Sequence, residues 1–400
     1  MPVAKAIARL EALGEISDSP DVLTRTFLFP ASRKAGELIL TWMSELGMET
    51  SHTVDGTIRG ILAGSNPAAR PLLLGSHYDT VIDAGKYDGP LGIVSALAGL
   101  EMLNQQSKVL PFPIHVLGFS DEEGVRFQTT YLGSRSVVGP LDAATLATKD
   151  ATEKSLATAL ATEGWHENAI AIHYPQGSTR GYVELHIEQG RVLEDLRQPS
   201  AAVSSIAGQT RIAITLTGHA DHAGTTPMPL RRDALTGAAE CILAAESLAR
   251  SQDSAVITVG KISIHPGAAN SIPQRANFTV DLRHPNDEQL HALTIELEEN
   301  FLRISLQRNL ELNWLIVQES PATLCDPVLT SLLQTATGFR ETIVSGAGHD
   351  GVALAPAMPI AMLLIRCRDG LSHHPDEYAS PEDIATGIDI LVRFLTSLPA

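Results

Sequence analysis

Leu72 to Ser95 reads LLLGSHYDTVIDAGKYDGPLGIVS. An apolar run stops at Ser-His-Tyr-Asp, with His77 and Asp79 two positions apart and Asp88 following among Gly85, Gly89 and Gly92. A histidine and two carboxylates after a run that reads as a buried strand suit metal ligands and the groups that orient them. The plainer alternative is a polar strand-to-helix turn with one satisfied histidine. Three other stretches bear on the choice. The apolar PIHVLGF runs into Ser120-Asp121-Glu122-Glu123-Gly124. Two adjacent carboxylates can divide labour, one on a metal and one on protons; the alternative is an acid-rich helix start favoured by the macrodipole. GYVELHI, Gly181 to Ile187, is followed by Glu188-Gln189-Gly190, and period-2 alternation puts Glu184 and His186 on one face. PIAMLLI, Pro359 to Ile365, is followed by a turn carrying His373 and His374.

One such strand end is weak; four in one chain are hard to explain by packing. Histidines plus carboxylates, one of them bridging, suit two divalent ions such as zinc, manganese or cobalt. Such a pair activates a water and polarises a carbonyl. No Gly-x-Ser-x-Gly elbow or Gly-rich phosphate loop offers a rival chemistry.

The elements that must position these groups follow an α/β pattern. Helices are expected over 4–14 and Ala31 to Leu46, a hairpin over Met48 to Leu62 around Asp55-Gly56, and a strand at Leu72 to Leu74. A helix over Ile93 to Leu103 precedes the strand Pro113 to Phe119. Residues 141–170 read as helices in an exposed excursion. Strands separated by helices, with polar residues after the strands, predict a mostly parallel mixed sheet flanked by helices, with ligands beyond the strands' carboxyl ends. The pattern changes near Ser205. RIAITLT (Arg211 to Thr217) and ANFTVDLR (Ala276 to Arg283) alternate cleanly, with helices over Arg232 to Leu248 and Glu288 to Ser305 and a strand over Ala255 to Ile262. That predicts an α+β domain at 207–316, inserted into a catalytic domain made of 1–206 and 317–400. Leu329 to Thr337 and Pro381 to Leu398 read as helices of the returning first domain.

A net charge of -17 excludes nucleic acid and anionic membrane as expected partners. Cys241, Cys325 and Cys367 are far apart in apolar segments and read as reduced core thiols, so a cytoplasmic location is expected. The first residues read as a helix rather than a secretory signal, and no apolar run of about 18 residues predicts a membrane span.

A resemblance that covers nearly the whole chain rests on the motifs GSHYDTVIDAGKYDGPLG, DEEGVRF, ELHIEQG, HADHAGTTPM, Asn270-Ser271-Ile272-Pro273, VDLRH, GAGHD and GLSHHPDE. Together they resemble the M20-type metallopeptidase superfamily, and within it the amidase, hydantoinase and carbamoylase branch. That branch includes allantoate amidohydrolases, N-carbamoyl-L-amino-acid hydrolases and β-ureidopropionases. The resemblance implies two divalent ions, zinc or manganese with cobalt or nickel as substitutes. His77, His186 and a bridging Asp88 would hold one; Glu123 and His373 would complete the other. His373 is preferred to His374 because the motif places the ligand directly after Ser; the family usually has Asn where this chain has His374. Glu122 would be the general base, and Asp79 would orient His77. The inserted domain would be a lid that also forms a homodimer. In it His222, Asn270 and Arg283, with Gln189 from the catalytic domain, would bind substrate. Their plainer alternatives are a surface charge for Arg283 and a turn residue for Asn270. His219 reads as an exposed polar residue, and His349 and Asp350 as residues that hold their loop.

The function implied is hydrolysis of a ureido C–N bond, with Arg283 clamping a substrate carboxylate. Allantoate is the favoured substrate, on the likeness of YDTVIDAGKYDGPLG and DEEGVRFQTTYLGSRSVVG. N-carbamoyl-L-amino acids come next and β-ureidopropionate third, with peptide hydrolysis behind them. An aromatic content of 4% gives no hint of a large aromatic side-chain pocket.

Overall fold

The computed structural model describes residues 2–399. The chain forms two compact units, one made of the chain up to Ser204 and from Leu324 onward, the other Ser205–Thr323. The second unit reaches further than the expected bound at 316, because a strand continues to Ser320.

In the first unit, the described residues form a nine-stranded sheet. Its edge is an antiparallel pair, β1 (Glu49–His52) and β2 (Ile58–Leu62). The path continues through β4 (Ile114–Phe119), β3 (Leu72–His77) and β5 (Gly181–Ile187) to β13 (Ile360–Ile365), then β6 (Ser200–Ile206) and β11 (Thr323–Leu324); β12 (Thr342–Ser345) also pairs with β6. Neighbours β4, β3, β5 and β13 run parallel, whereas β2 and β6 are antiparallel to theirs. This is the mixed sheet expected, with parallel pairs among the four central strands. Every residue of β3, β5 and β13 is buried, as suits strands covered on both faces.

The helix Pro90–Gln105 explains much of that burial. It is apolar all round and buried continuously from Pro90 to Leu100, so it lies inside the unit rather than on its surface. It packs on β3 and is covered by the helices Pro2–Gly14 and Pro381–Ser397. It starts three residues before the expected Ile93. Gly89 at φ 79° ends the preceding loop, and Pro90 supplies a helical φ without needing an amide partner. The last helix is capped by Ser380, whose Oγ accepts from the Asp383 amide at 3.0 Å. All three cysteines are free and buried. No helix among the described residues is long and apolar enough to cross a membrane.

The second unit is a four-stranded antiparallel sheet in the order β10 (Glu311–Ser320), β7 (Gly208–Thr217), β9 (Arg275–His284), β8 (Val256–His265). Ile212, Ile214 and Leu216 of β7 and Phe278, Val280 and Leu282 of β9 form its core with the helices Ala234–Arg250 and Asp287–Gln307. Asp233 and Asn286 cap those helices. β10 was not foreseen from sequence. It is an edge strand with a run of exposed residues from Leu315 to Glu319, so no clean alternation marks it.

Candidate metal centre and active site

Strand register brings the first pair of motifs together. His77 of β3 lies opposite Phe119 of β4, and the Tyr78 amide continues the ladder to the Phe119 carbonyl at 3.0 Å. Asp79 therefore emerges beside the turn that carries Glu122 and Glu123. Its carboxylate accepts from both their amides, Oδ1 from Glu122 at 3.1 Å and Oδ2 from Glu123 at 3.3 Å. The same Oδ1 lies 3.4 Å from His77 Nδ1. Asp79 thus aims the imidazole and fixes the acidic turn at once. On the other side β5 pairs with β3 so that Leu72 faces Gly181 and Leu74 faces Val183. The same offset carried forward sets His186 beside His77, with ring centroids 5.8 Å apart.

Asp88 sits between two sets of donors. Its Oδ1 is 3.2 Å from His77 Nε2 and 3.2 Å from His186 Nε2. Its Oδ2 is 3.4 Å from His373 Nε2, which is itself 3.3 Å from Glu123 Oε1. His77, His186, Asp88 and Glu122 are buried, whereas His373 is half exposed. His374 is turned away, its Nδ1 accepting from the Asp376 amide at 3.1 Å.

These residues fit a pair of divalent ions. Zinc bonds of about 2.0–2.1 Å in a tetrahedron hold ligand atoms about 3.3 Å apart, the spacing seen here. His77, His186 and Asp88 offer three atoms to one ion; Asp88, Glu123 and His373 offer three to another. Three protein atoms each would leave a position for water. The tautomers agree. His186 Nδ1 donates to the Ile187 carbonyl at 2.9 Å, which leaves Nε2 as the acceptor nitrogen; it lies 3.2 Å from Asp88 Oδ1 and 3.1 Å from the Gly89 amide. Gly89 must be glycine: its φ is 79°, and a Cβ there would lie 2.5 Å from the His77 ring.

The electrostatics describe a cation-seeking site. Burial opposes charge on His77, yet hydrogen bonds to Asp79 and Asp88 raise its pKa well above the usual value. Hydrogen bonds to Asp88 and Glu123 push His373 up to about 10. Asp88 is held well below the carboxylate range, burial being outweighed by His186, His373 and His77. Glu122 moves the other way: burial, and then repulsion from Glu123, Asp350 and Asp79, push it well above its usual value, against the pull of His77. A buried carboxyl of raised pKa beside the donor cluster is suited to take a proton from water.

A further grouping of Glu184, His186 and His349 is also compact. His186 turns Nε2 to the Asp88 cluster and Nδ1 to the Ile187 carbonyl, Glu184 accepts from Ser76 at 2.7 Å, and His349 Nε2 lies 2.7 Å from Ser345 Oγ. Burial, with His186 and His77 nearby, holds His349 well below its usual pKa and neutral. Asp121, Glu184 and Asp350 are fully buried carboxyls, each pushed up by burial. All three lie inside motifs read from the sequence, Asp121 in the acidic turn, Glu184 on the strand face of His186 and Asp350 after His349.

Gln189 belongs to this cluster: its Nε2 donates to Asp88 Oδ2 at 2.5 Å. The other three substrate candidates lie in the second unit. His222 and Asn270 are both exposed and adjoin through the bridge His222 to Ser271. The Gly224 amide donates to His222 Nδ1 at 3.1 Å, leaving Nε2 as the free donor. Arg283 is at the far end of β9, on the face turned away from the helices, and its fork grips Asp281 at 2.8 and 3.2 Å. Burial acts upward on the Asp281 carboxyl, but Arg283 and Arg211 hold it below its usual value. His219 is exposed and pairs with Asp221 at 3.1 Å.

The sequence reading missed Ser372 and Glu377. Ser372 Oγ lies 2.7 Å from Asp88 Oδ2 and 2.9 Å from Glu377 Oε2. Both stand inside the GLSHHPDE motif, but nothing in their spacing shows that they reach a loop nearly three hundred residues earlier.

Comparison with known proteins agrees with this architecture. The profile of Peptidase family M20/M25/M40 matches residues 73–397. An allantoate deiminase of Arabidopsis thaliana is 40% identical over 98% of this chain and 82% of its own length. An N-carbamoyl-L-amino acid amidohydrolase of Geobacillus stearothermophilus is 38% identical over 98% of this chain and 97% of its own. The crystal structure of an amidase of the hydantoinase/carbamoylase family from Burkholderia multivorans superposes with a TM-score of 0.92 at 31% identity, covering 99% of this chain and 97% of that one. The chain belongs to the M20/M25/M40 peptidase family, in its amidase, hydantoinase and carbamoylase branch.

Proposed function

We propose that the protein is a metal-dependent amidohydrolase that cleaves a ureido C–N bond, with allantoate as its substrate. The observation that carries the reading is Asp88, one carboxylate oxygen facing His77 and His186 and the other facing His373 and Glu123. Zinc or manganese ions held by these residues would activate a water and polarise the ureido carbonyl. The chain's own groups do the rest. Glu122, beside Glu123 and His77, takes a proton from the attacking water and returns it to the leaving nitrogen. Asp79 keeps His77 and the acidic turn in place. Gln189 Nε2 holds Asp88. His222 and Asn270 donate to the oxyanion and the substrate carboxylate, and Arg283 exchanges its bond to Asp281 for that carboxylate. Water adds across the bond, giving an amine and carbamic acid, which falls apart to ammonia and carbon dioxide.

The named activities of the plant relatives favour allantoate. The similarity to the Geobacillus enzyme, over a larger share of that protein's length, makes N-carbamoyl-L-amino acids the second reading. Ammonia release from metal-loaded protein, with allantoate, a panel of N-carbamoyl-L-amino acids and a dipeptide side by side, decides between them. Turnover is expected on allantoate. Turnover of carbamoyl amino acids alone would replace the substrate, and turnover of the dipeptide alone would replace the reaction class.

The placement of the substrate groups supports a homodimer through the lid. Asn270 precedes β9 and Arg283 is near its end, so roughly 25 Å or more of strand separates them. No small ureido carboxylate spans that distance, which supports a reading in which His222 and Asn270 serve the site of a second copy. Exposed Leu243, Leu302, Leu315 and Val317 give this unit apolar surface for such a contact. His222→Ala and Glu122→Gln proteins, each inactive alone, should regain roughly a quarter of wild-type activity when mixed one to one and allowed to exchange subunits. Half the dimers are then mixed, and each has one complete site. No recovery despite proven exchange would place His222 at its own chain's site.

A further inference from the structure

We infer that Glu377 is a positioning residue that locks the second ion site to the first, an inference that rests on the two-ion reading above. Its side chain is 3% exposed and lies in the GLSHHPDE turn, whose path it tightens by donating its own amide to the His374 carbonyl at 3.0 Å. Oε1 accepts from the amides of Tyr87 at 2.8 Å and Asp88 at 3.0 Å. Oε2 accepts from Ser372 Oγ at 2.9 Å, and that hydroxyl lies 2.7 Å from Asp88 Oδ2. A single carboxylate thus grips the backbone of the Asp88 loop and the residue before His373. Gly85 is packed so closely against it that an added Cβ would lie 2.3 Å from Glu377 Cβ. The Tyr87 and Tyr378 rings meet edge to face at 6.2 Å across the same seam.

This seam matters because the two donor sets are held unequally. His77 and His186 stand on buried strands of the sheet and keep their places without it. His373 is half exposed, has a left-handed φ of 55°, and stands on a loop. The distance between Asp88 Oδ2 and His373 Nε2 therefore depends on how the two loops are joined, and Glu377 joins them. Loss of the carboxylate should loosen the His373 and Glu123 site much more than the His77 and His186 site, which shares only Asp88 with the seam and keeps both histidines on their strands. A residue that merely stabilised the fold would not produce that asymmetry.

The test is cobalt titration of metal-free wild type, Glu377→Leu, Glu377→Gln and Ser372→Ala, read by d–d absorption and calorimetry, with circular dichroism and thermal midpoints alongside. Wild type is expected to take two equivalents. Glu377→Leu should bind the first within a few fold of wild type and the second about 10- to 100-fold more weakly, the usual effect of losing a group that orients a ligand. Glu377→Gln keeps an oxygen for the two amides and should recover most of that loss. Ser372→Ala removes the hydroxyl between Glu377 Oε2 and Asp88 Oδ2 but leaves the two amide bonds to Oε1, and should weaken the second ion by several fold. If Glu377→Leu does not fold, Ser372→Ala decides. Two equivalents at wild-type affinities in the folded variants, or equal weakening of both, would overturn the inference. A single equivalent in wild type would instead remove the two-ion reading.

Discussion

Glutamine at position 122 is expected to lower turnover by about 10³-fold or more while leaving two equivalents of metal bound. General acid–base groups contribute about 10²- to 10⁴-fold, and Glu122 is assigned both the removal and the return of the proton. Its amide replacement preserves shape and keeps the Glu122 N–H to Asp79 bond at 3.1 Å, so the turn should hold. Burial and the surrounding carboxylates make Glu122 an unusually willing proton acceptor, an effect glutamine cannot supply. Metal analysis of the purified variant beside a steady-state assay checks this. The neighbouring Glu123→Gln is the control, because Glu123 Oε1 is the atom 3.3 Å from His373 Nε2. Its loss should cost the second ion. If Glu122→Gln loses metal and Glu123→Gln does not, the two glutamates have been assigned in reverse.

Asp88→Ala should be more damaging than removal of any one histidine. Each of its oxygens faces a different donor set, so the substitution takes one ligand from both. Both affinities should fall by more than about 100-fold, beyond what loss of a supporting group causes, and activity should disappear. His373→Ala should instead retain one ion, on His77, His186 and Asp88. Calorimetric titration of the metal-free proteins separates the cases. An Asp88→Ala protein that binds one ion at wild-type affinity would show that the carboxylate is not shared. Folding is not expected to suffer greatly, since Asp88 is in a loop whose backbone is held through Tyr87 and Asp88 amides by Glu377.

Much of this centre was readable because its parts obey local rules. His77 and the Glu122-Glu123 pair each follow a short apolar run, and His186 lies at the end of one. Runs of that kind become central parallel strands, whose carboxyl ends gather on one edge of the sheet. The alternation in Arg211 to Thr217 and Ala276 to Arg283 likewise marked a sheet with one open face. Elements without a pattern were lost: β10, at a sheet edge with a run of exposed residues, left no period to detect. Glu377 was lost for a different reason. Its partners are amides of residues 87 and 88, 290 and 289 positions away, and a backbone amide has no side-chain identity to read.

The sequence by itself determined the chemistry of the donors, the strands that end in them, the family, and the choice of an inserted antiparallel unit. Those follow from residue type and short-range periodicity, which survive without coordinates. Only the tertiary structure decided which oxygen of Asp88 faces which histidines, that His373 rather than His374 turns to the cluster, and that Asp79 serves His77 and both glutamate amides together. It also decided that Arg283 grips Asp281 and stands a strand's length from His222 and Asn270. Each is a matter of direction and distance between segments far apart in the chain. Such relations are set by strand register and loop closure, which no local run of residues encodes.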